Sequence, residues 1–338
     1  MKNLLRRYSC GILLFLIAFP AISRVHLPLQ QVKKQVIKSF KIIPGDKVAI
    51  ENQYGNIIIK TWAKKEARIE VTITSYGVKQ DNRVRIEAGK NQSLIACKTI
   101  IDSAISGKPR GSYSINYLVY LPQWVSMDVK NQFGNITLGD YTGALNVNEK
   151  FGDFIGGNLA AVGSINIEQG NADVASLKGG GITGRGFNHI KIAKVSGEIS
   201  AGLSSGDLLE MNFTKTFSGL MIKSDNIRKI NISGVSNAEA FYKINLILSK
   251  FNNLSGLKFT GMTAPPQTKT DRQTDSLKVK TDQTDSTKRD ASKDKILPLK
   301  KLQELKLIKK LKTYEGGDAS AKCKVNIVTS FSTVTISD

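Results

Sequence analysis

The sequence Asn131-Gln132-Phe133-Gly134-Asn135-Ile136-Thr137-Leu138 decides how this chain folds, because close copies of it recur elsewhere. An earlier copy is Asn52-Gln53-Tyr54-Gly55-Asn56-Ile57-Ile58-Ile59, and a later one is Glu149-Lys150-Phe151-Gly152-Asp153-Phe154-Ile155. Near the C-terminus, Ser330-Phe331-Ser332-Thr333-Val334-Thr335-Ile336 repeats the pattern with Ser in place of Gly. Each copy joins a turn signal to β-branched or aromatic residues, which predicts a corner followed by a short strand.

Between 128 and about 210 these corners become regularly spaced. The apolar residue after each corner recurs at one fixed interval, at Ile136, Phe154, Ala172, Ile190 and Leu208. Because a strand advances about 3.3 Å per residue, one such repeat makes two or three short sides and returns above its starting point. Gly and Asn suit corners at which φ is positive. The repeat predicts an all-β, single-stranded β-solenoid or β-helix-like stack, and a β-sandwich is the competing interpretation.

The rest of the chain divides by composition. We expect an N-terminal β region over 24–127, with strands near 36–43, 48–50, 57–59, 68–73 and 113–121, followed by solenoid coils over 128–262. The Thr/Asp/Lys-rich segment 263–295 has too few apolar residues to form a core, which predicts a disordered insertion. Apolar residues spaced about three apart among lysines predict a basic amphipathic helix over 296–313, which would either contact a membrane surface or cap the β-core. Residues 314–338 are expected to close the β domain.

Residues 1–23 have the pattern of a secretory signal peptide. Basic Lys2, Arg6 and Arg7 precede an apolar run, and Ala21-Ile22-Ser23 provides a small-residue cleavage position. The apolar run is shorter than the roughly 20 residues that a transmembrane helix needs, which favours a cleaved signal over a retained anchor. We therefore expect export to the periplasm, to an outer-membrane-associated position or to the cell surface.

The chain is strongly basic. Its formal charge is +21, and because the leader holds three basic and no acidic residues, the mature chain would carry +18. Such a charge attracts acidic glycans, lipid headgroups or an envelope protein, although it also keeps exposed β-edges apart. Nucleic acid is not an expected partner, since no basic motif is interleaved with aromatic residues.

Two cysteines follow the leader, Cys97 and Cys323. An oxidising compartment permits a disulfide between them. Cys323 shares one face of an alternating strand with Val325 and Ile327, so a buried free thiol is the simpler interpretation. Two further sites, Ser276 and Ser286, lie in Asp-Ser-Leu and Asp-Ser-Thr triplets that resemble the acceptor pattern of a bacterial envelope O-glycosylation system.

Catalytic motifs are scarce, and neither a cofactor nor a metal is expected. His26 and His189 have no partner visible in the sequence, and the glycine-rich run 179–186 lacks the following helix that a phosphate-binding loop requires. Corner residues Asp153, Asp173 and Asp207 offer carboxylates for glycoside hydrolysis, but Asp is also expected at corners for turn geometry alone. A carbohydrate-active enzyme on a β-helix scaffold is thus an alternative to a binding protein, as is a periplasmic structural or signalling component.

The stretch Val48–Trp62, the strand Ser114–Pro122, the K-N-Q-F-G-N-I-T-L segment and the closing T-S-F-S-T-V-T-I segment together resemble a family of secreted bacterial proteins. Their shared domain is an adhesin-like domain of unknown function, related to auto-transporter adhesin heads. The resemblance covers most of 35–262 and 314–338 and implies a β-coil fold and an adhesive, non-enzymatic role. It implies no ligand, and Ser332 departs from the Gly of the other copies.

Overall fold

A computed structural model describes residues 31–76, 84–101, 112–237, 239–263 and 311–338. These residues are almost entirely β-strand, with one short 3₁₀ turn at Val235–Asn237. The described ranges contain no helix long and apolar enough to cross a membrane. The strands are β1 (Gln31–Lys41), β2 (Lys47–Gln53), β3 (Ile57–Thr61), β4 (Glu66–Tyr76), β5 (Val84–Asn91), β6 (Leu94–Ile101), β7 (Ser112–Leu121), β8 (Ser126–Gln132), β9 (Ile136–Leu138), β10 (Tyr141–Lys150), β11 (Asp153–Glu168), β12 (Asn171–Arg185), β13 (His189–Ser233), β14 (Ala240–Ile247), β15 (Lys250–Leu254), β16 (Phe259–Thr263), β17 (Leu311–Gly317), β18 (Cys323–Ser330) and β19 (Thr333–Ser337).

Successive segments in the middle of the chain pair in parallel, each one lying beside the segment one repeat earlier. Ile136 is opposite Phe154, Phe154 is opposite Ala172, and Ala172 is opposite Ile190. All four side chains are buried in one continuous hydrophobic core. The predicted register of these four residues is therefore present, and their parallel pairing differs from the antiparallel pairing of a sandwich.

The fifth predicted position is wrong by one residue. Leu208 is only half-buried, whereas Leu209 is fully buried. The cause is an extra residue in the preceding coil, since Lys178 is opposite Ser196 but Gly180 is opposite Ile199. Gly197 sits at this bulge with a φ of 69°. A bulge of this kind shifts every later inward position by one, so this repeat is longer than the preceding ones by a single residue.

The two most similar copies of the repeat are neighbours in space although about 79 residues separate them along the chain. β2 pairs with β8 and β3 pairs with β9, both in parallel and in register. In the intervening chain, β6 pairs with the other edge of β2 and β7 with the other edge of β3, while β5 and β4 pair with β6 and β7. The predicted N-terminal strands are thus present, and they close one end of the stack.

The C-terminal strands close the opposite end, and they do so out of chain order. β18 lies between β13 and β14, and β19 lies between β13 and β15. β17 pairs antiparallel with β14 and with β16. Three aromatic rings pack beneath this end, with the ring centroid of Phe251 lying 5.1 Å from that of Phe259 and 4.8 Å from that of Tyr314.

The helix predicted over 296–313 is wrong at its C-terminal end. Leu311 begins β17, because that segment satisfies its backbone by pairing on both sides and packs Tyr314 against the aromatic cluster. Residues 296–310 of the predicted helix lie outside the described residues. The predicted leader (1–23) and nearly all of the predicted insertion (263–295) also lie outside the described residues. Thr263, the first residue of the predicted insertion, ends β16.

Four glycines form a column in which consecutive corners touch backbone to backbone. A Cβ on Gly134 would overlap the carbonyl oxygen of Gly55, and a Cβ on Gly152 would overlap that of Gly134. Gly170 stands in the same relation to Gly152, and Gly55 to Ile115. The expectation that these glycines adopt positive φ is wrong, because the positive φ belongs to the residue before each of them. They are glycine because no side chain fits.

We expect Gly134→Ala to destabilise the fold by about 3 kcal/mol, since the new methyl group must push two coils apart. Gly139→Ala is the matched control, because a Cβ there meets nothing within 4 Å; its free energy of unfolding should change by less than about 0.5 kcal/mol. Urea unfolding followed by circular dichroism measures both. Equal effects would show that the glycine column does not set the distance between coils.

We also expect residues 264–310 to be dispensable for the fold, because Thr263 at the end of β16 lies directly opposite Lys312 of β17. Replacing this segment by a short Asn-Gly turn should leave the β-body intact and reduce the entropic cost of loop closure by about 2 kcal/mol. Thermal unfolding of the full and shortened chains tests this expectation. A lower melting temperature for the shortened chain would contradict it.

Candidate binding surface

Residues at successive corners share a left-handed backbone. The residues preceding the four column glycines, Tyr54, Phe133, Phe151 and Gln169, have φ values of 61°, 60°, 57° and 53°. The same conformation occurs at later corners, at Ser205, Asn226, Leu248 and Phe331. Bulky residues seldom adopt this region. Phe331 keeps it although Ser332 replaces the glycine, so that substitution leaves the corner geometry intact.

Three of these corners form an exposed aromatic ladder, consisting of Tyr54, Phe133 and Phe151. The ring centroids are 5.2 Å and 4.8 Å apart, and each neighbouring pair of planes is within 7° of parallel. Each side chain is still 41–43% exposed. Gln169, Ser205 and Asn226 adopt the same backbone conformation without a ring, so the corner itself does not require aromatic residues. The rings stabilise the stack by their contacts with one another and form an apolar ridge along its edge.

A ladder of polar side chains runs beside this ridge. The side-chain oxygen of Asn56 accepts a hydrogen bond from the backbone N–H of Asn135, whose own side-chain oxygen accepts one from the N–H of Asp153, both at 2.9 Å. Asp153 Oδ1 accepts from the N–H of Asn171 at 3.0 Å and from its Nδ2 at 2.8 Å. Asn171 accepts from the N–H of His189 at 3.0 Å. Each side chain thus satisfies a backbone donor of the next coil.

An open groove of about 540 Å³ lies on the outer face beside this ladder, across the first halves of β11 and β12 and three successive segments of the long strand β13. Ala175 and Ala193 contribute small side chains to it, and Ile155 makes one end apolar. Its charged lining residues are Asp173, Lys191 and Glu210, and Asn212 and Ser233 add neutral polar groups. Neither Lys191 nor Glu210 forms an ion pair within the described residues, so both are available to a ligand.

Among the groove residues, only Asp173 was predicted as a candidate site residue. Lys191 and Glu210 follow it one and two repeats later, at outward positions, and the second interval includes the extra residue of the bulge at Gly197. The repeat period that predicts the buried positions therefore also predicts the outward positions of Lys191 and Glu210. Nothing in the sequence indicates that this outward column lies beside a groove.

The predicted corner carboxylates do not form a catalytic pair. Asp153 belongs to the polar ladder, Asp173 Oδ2 lies 2.9 Å from His189 Nε2, and Asp207 pairs with Arg228 at 3.3 Å. The glycine-rich run 179–186 lies at the end of β12 and the corner after it, and Gly179 and Gly180 have φ values of 73° and 118°. The strand β13, and not a helix, follows this run directly, so the run lacks the phosphate-binding geometry.

The two thiols occupy opposite ends of the stack. Cys97 is on β6, which pairs with β2, and Cys323 is on β18, which pairs with β13 and β14. Both are buried and free, so the alternative disulfide is not formed in the structure. Burial raises the pKa of Cys97 to about 11, which leaves it a poor nucleophile near neutral pH.

The predicted glycosylation sites, Ser276 and Ser286, lie outside the described residues, as does His26, for which no role is predicted. Within the described ranges, no group of three or more His, Cys, Asp or Glu side chains is placed to hold a metal ion. The described surface therefore offers a groove, an aromatic ridge and a polar ladder as its candidate features for binding.

Comparison with known proteins finds distant structural similarity only. No family model matches the sequence, and no curated protein matches it. A crystal structure described as a "putative cell adhesion protein" from Clostridium sporogenes is 10% identical with a TM-score of 0.23, over 90% of this chain and 99% of that one. A "putative adhesin" from Bacteroides fragilis is 10% identical with a TM-score of 0.31, over 59% of this chain and 89% of that one. These values are too low to indicate a function for this chain.

We expect Asp153→Asn to keep the stability of the parent chain within about 0.5 kcal/mol, because Asn already fills the equivalent rungs at 135 and 171. Asp153→Ala should cost about 1–2 kcal/mol, since it leaves the N–H of Asn171 without an acceptor. Chemical denaturation compares the two variants. If Asp153→Asn were as damaging as Asp153→Ala, the negative charge itself would be needed and a purely structural role would fail.

Proposed function

We propose that this chain is an exported, non-enzymatic, adhesin-like protein of the bacterial cell envelope whose groove binds a glycan. The observation that carries the proposal is the groove itself, which is lined by residues of five successive repeats and combines the small side chains of Ala175 and Ala193 with unpaired Lys191 and Glu210. Sugars present many hydroxyl groups, and a groove with donors, acceptors and one apolar end suits them. Lys191 would also pair with the carboxylate of an acidic glycan.

We further propose that the stacked coils constitute a β-solenoid. The parallel pairing of each segment with the one a repeat later supports this architecture. In a solenoid each coil contacts mainly its neighbours, so outward residues line up in straight columns. A groove along such columns suits an extended polymer better than a compact small molecule.

A carbohydrate-active enzyme is the second candidate, because two carboxylates, Asp173 and Glu210, line the same groove. Glycosidases use two carboxyl groups, one as the acid and the other as the nucleophile or base. Here Asp173 is held by His189, which favours a binding role for this side chain. Release of reducing sugar from envelope polysaccharide, and its loss in Glu210→Gln, would establish the enzyme instead.

We expect Ala193→Arg to abolish retention of the protein on an immobilised uronic-acid polymer, because the long side chain fills the groove floor. Ser200→Arg is the control, since Ser200 is also exposed but is not part of the groove. Both variants add one positive charge, so non-specific attraction to the polymer rises equally in both. Affinity chromatography at physiological salt concentration measures retention.

Equal retention of both variants would show that overall charge, rather than the groove, holds the polymer. Failure of the parent chain to bind uronic-acid, neutral and amino-sugar polymers alike would remove the glycan proposal altogether.

A further inference from the structure

A column of buried polar side chains lies inside the corners, behind the aromatic ladder. Asn52, Asn131 and Glu149 are opposite one another in successive coils, and each stands three residues before a column glycine. Their exposed fractions are only 2%, 3% and 0%. Buried polar groups require hydrogen-bond partners, so the partners at each level show what this position does.

At the first level, the side chain acts as a hydrogen-bond donor to corner carbonyls. Asn52 Nδ2 donates to the carbonyl oxygen of Ile115 at 2.8 Å and to that of Gly55 at 3.2 Å. Asn52 Oδ1 accepts a hydrogen bond from Thr99 at 2.9 Å. The column glycines bring these carbonyls close to one another, so a donor at this position relieves the crowding of acceptor atoms.

At the third level, the carboxyl group of Glu149 occupies the position that the amide of Asn52 has at the first level. Both Glu149 oxygens are buried without a hydrogen-bond partner, as are both polar atoms of the Asn131 amide. Glu149 Oε1 and the carbonyl oxygen of Gly134 crowd the same point, the position that a Cβ of Gly152 would occupy. A carboxylate cannot donate a hydrogen bond to a carbonyl oxygen, whereas a carboxylic acid can.

The charges around Glu149 favour its neutral form. Burial, reinforced by the Asp153 carboxylate, raises the pKa of Glu149 to about 8. The Asn131 amide and the Lys150 N–H lie close enough to favour the charged form, yet neither forms a hydrogen bond of normal geometry with it. Glu149 forms no ion pair with any described residue. The neighbouring Lys150 pairs with Glu168 at 2.6 Å, and on the β11 side Glu149 faces the apolar Ile167.

We propose that Glu149 is a proton-carrying hydrogen-bond donor that holds the corner at Phe151 against the corner at Phe133, and that loss of its proton loosens this contact. It thus replaces the amide donor that Asn52 supplies two coils away. The fold would contain a pH-sensitive element that operates at mildly alkaline pH. This role of Glu149 is independent of the ligand of the groove, because Glu149 lies in the interior of the coils.

The direction of the pH effect follows from linkage. The folded chain holds this proton up to about pH 8, while the unfolded chain releases it near the ordinary value of 4.5. The stabilisation is therefore fully present below pH 4.5 and is lost as the pH rises towards 8. Over that interval the unfolding equilibrium constant should increase by up to about tenfold per pH unit.

The test is urea unfolding of the full chain and of Glu149→Gln between pH 5 and 9. Because Gln donates a hydrogen bond at every pH, this variant should lack the tenfold-per-unit dependence and should exceed the parent chain in stability at pH 8. Glu198→Gln, an exposed change on β13, is the control and should keep the parent's dependence. A parent chain with a flat pH profile, or a Gln variant that keeps the slope, would overturn the proposal.

A second measurement does not depend on the variant folding. Carboxyl ¹³C NMR of the parent chain labelled at Glu should show one group that titrates near pH 8, and titration of every Glu below pH 6 would overturn the proposal. A cation between Glu149 and Asn131 is the competing occupant. In that case a chelator would destabilise the parent chain at pH 7 but leave Glu149→Gln unaffected, which would also overturn the proposal.

Discussion

The close approach of the backbone to itself, at the column of Gly55, Gly134, Gly152 and Gly170, is the constraint on which the rest of the structure depends. No Cβ fits between these corners, and the residue before each glycine has a left-handed φ and an exposed side chain. The three residues Tyr54, Phe133 and Phe151 then stack at the spacing of the coils. The same approach brings the carbonyl groups together and creates the need for donors inside the corner.

Once the corners are stacked, every outward position becomes a column with its own chemistry. One column is the polar ladder, in which each amide or carboxylate oxygen accepts a hydrogen bond from a backbone N–H of the next coil. A neighbouring column carries Ile155, Asp173, Lys191 and Glu210 and forms the charged wall of the groove. The inner rows and the ladder thus hold the coils together, while the groove column has no comparable set of contacts between successive coils among the described residues.

The local part of this architecture could be predicted from the sequence, and its long-range part could not. Ile136, Phe154, Ala172 and Ile190 were identified because adjacent coils are also adjacent in sequence. Leu208 was misplaced because Gly197 adds a residue at a bulge, and a bulge glycine looks the same in sequence as a column glycine. The pairing of β2 with β8, and the insertion of β18 between β13 and β14, leave no local signal at all.

The candidate site was predictable to a smaller extent. The period gives the outward positions, so Lys191 and Glu210 could have been placed in line with Asp173. The groove is lined by residues of several repeats, among them Ala175 and Ala193, and their arrangement around one space appears only when the coils are assembled. Glu149 illustrates the same limit, since its alternation with apolar residues predicts burial while its missing partners are visible only in three dimensions.

The two ends of the stack show how the chain closes a structure that would otherwise expose unpaired strand edges. At both ends antiparallel strands cover the parallel coils, and β1, which pairs only with β4 in the described residues, carries Lys33, Lys34, Lys38 and Lys41. Exposed lysines oppose pairing of such an edge with another chain. At the C-terminal end, Thr329 hydrogen-bonds Ser224 across 105 residues of sequence, at 2.7 Å. Contacts so distant in the chain are entropically costly to form, so closure of this end depends on long-range pairing, whereas the central coils pair with neighbours that are also close in sequence.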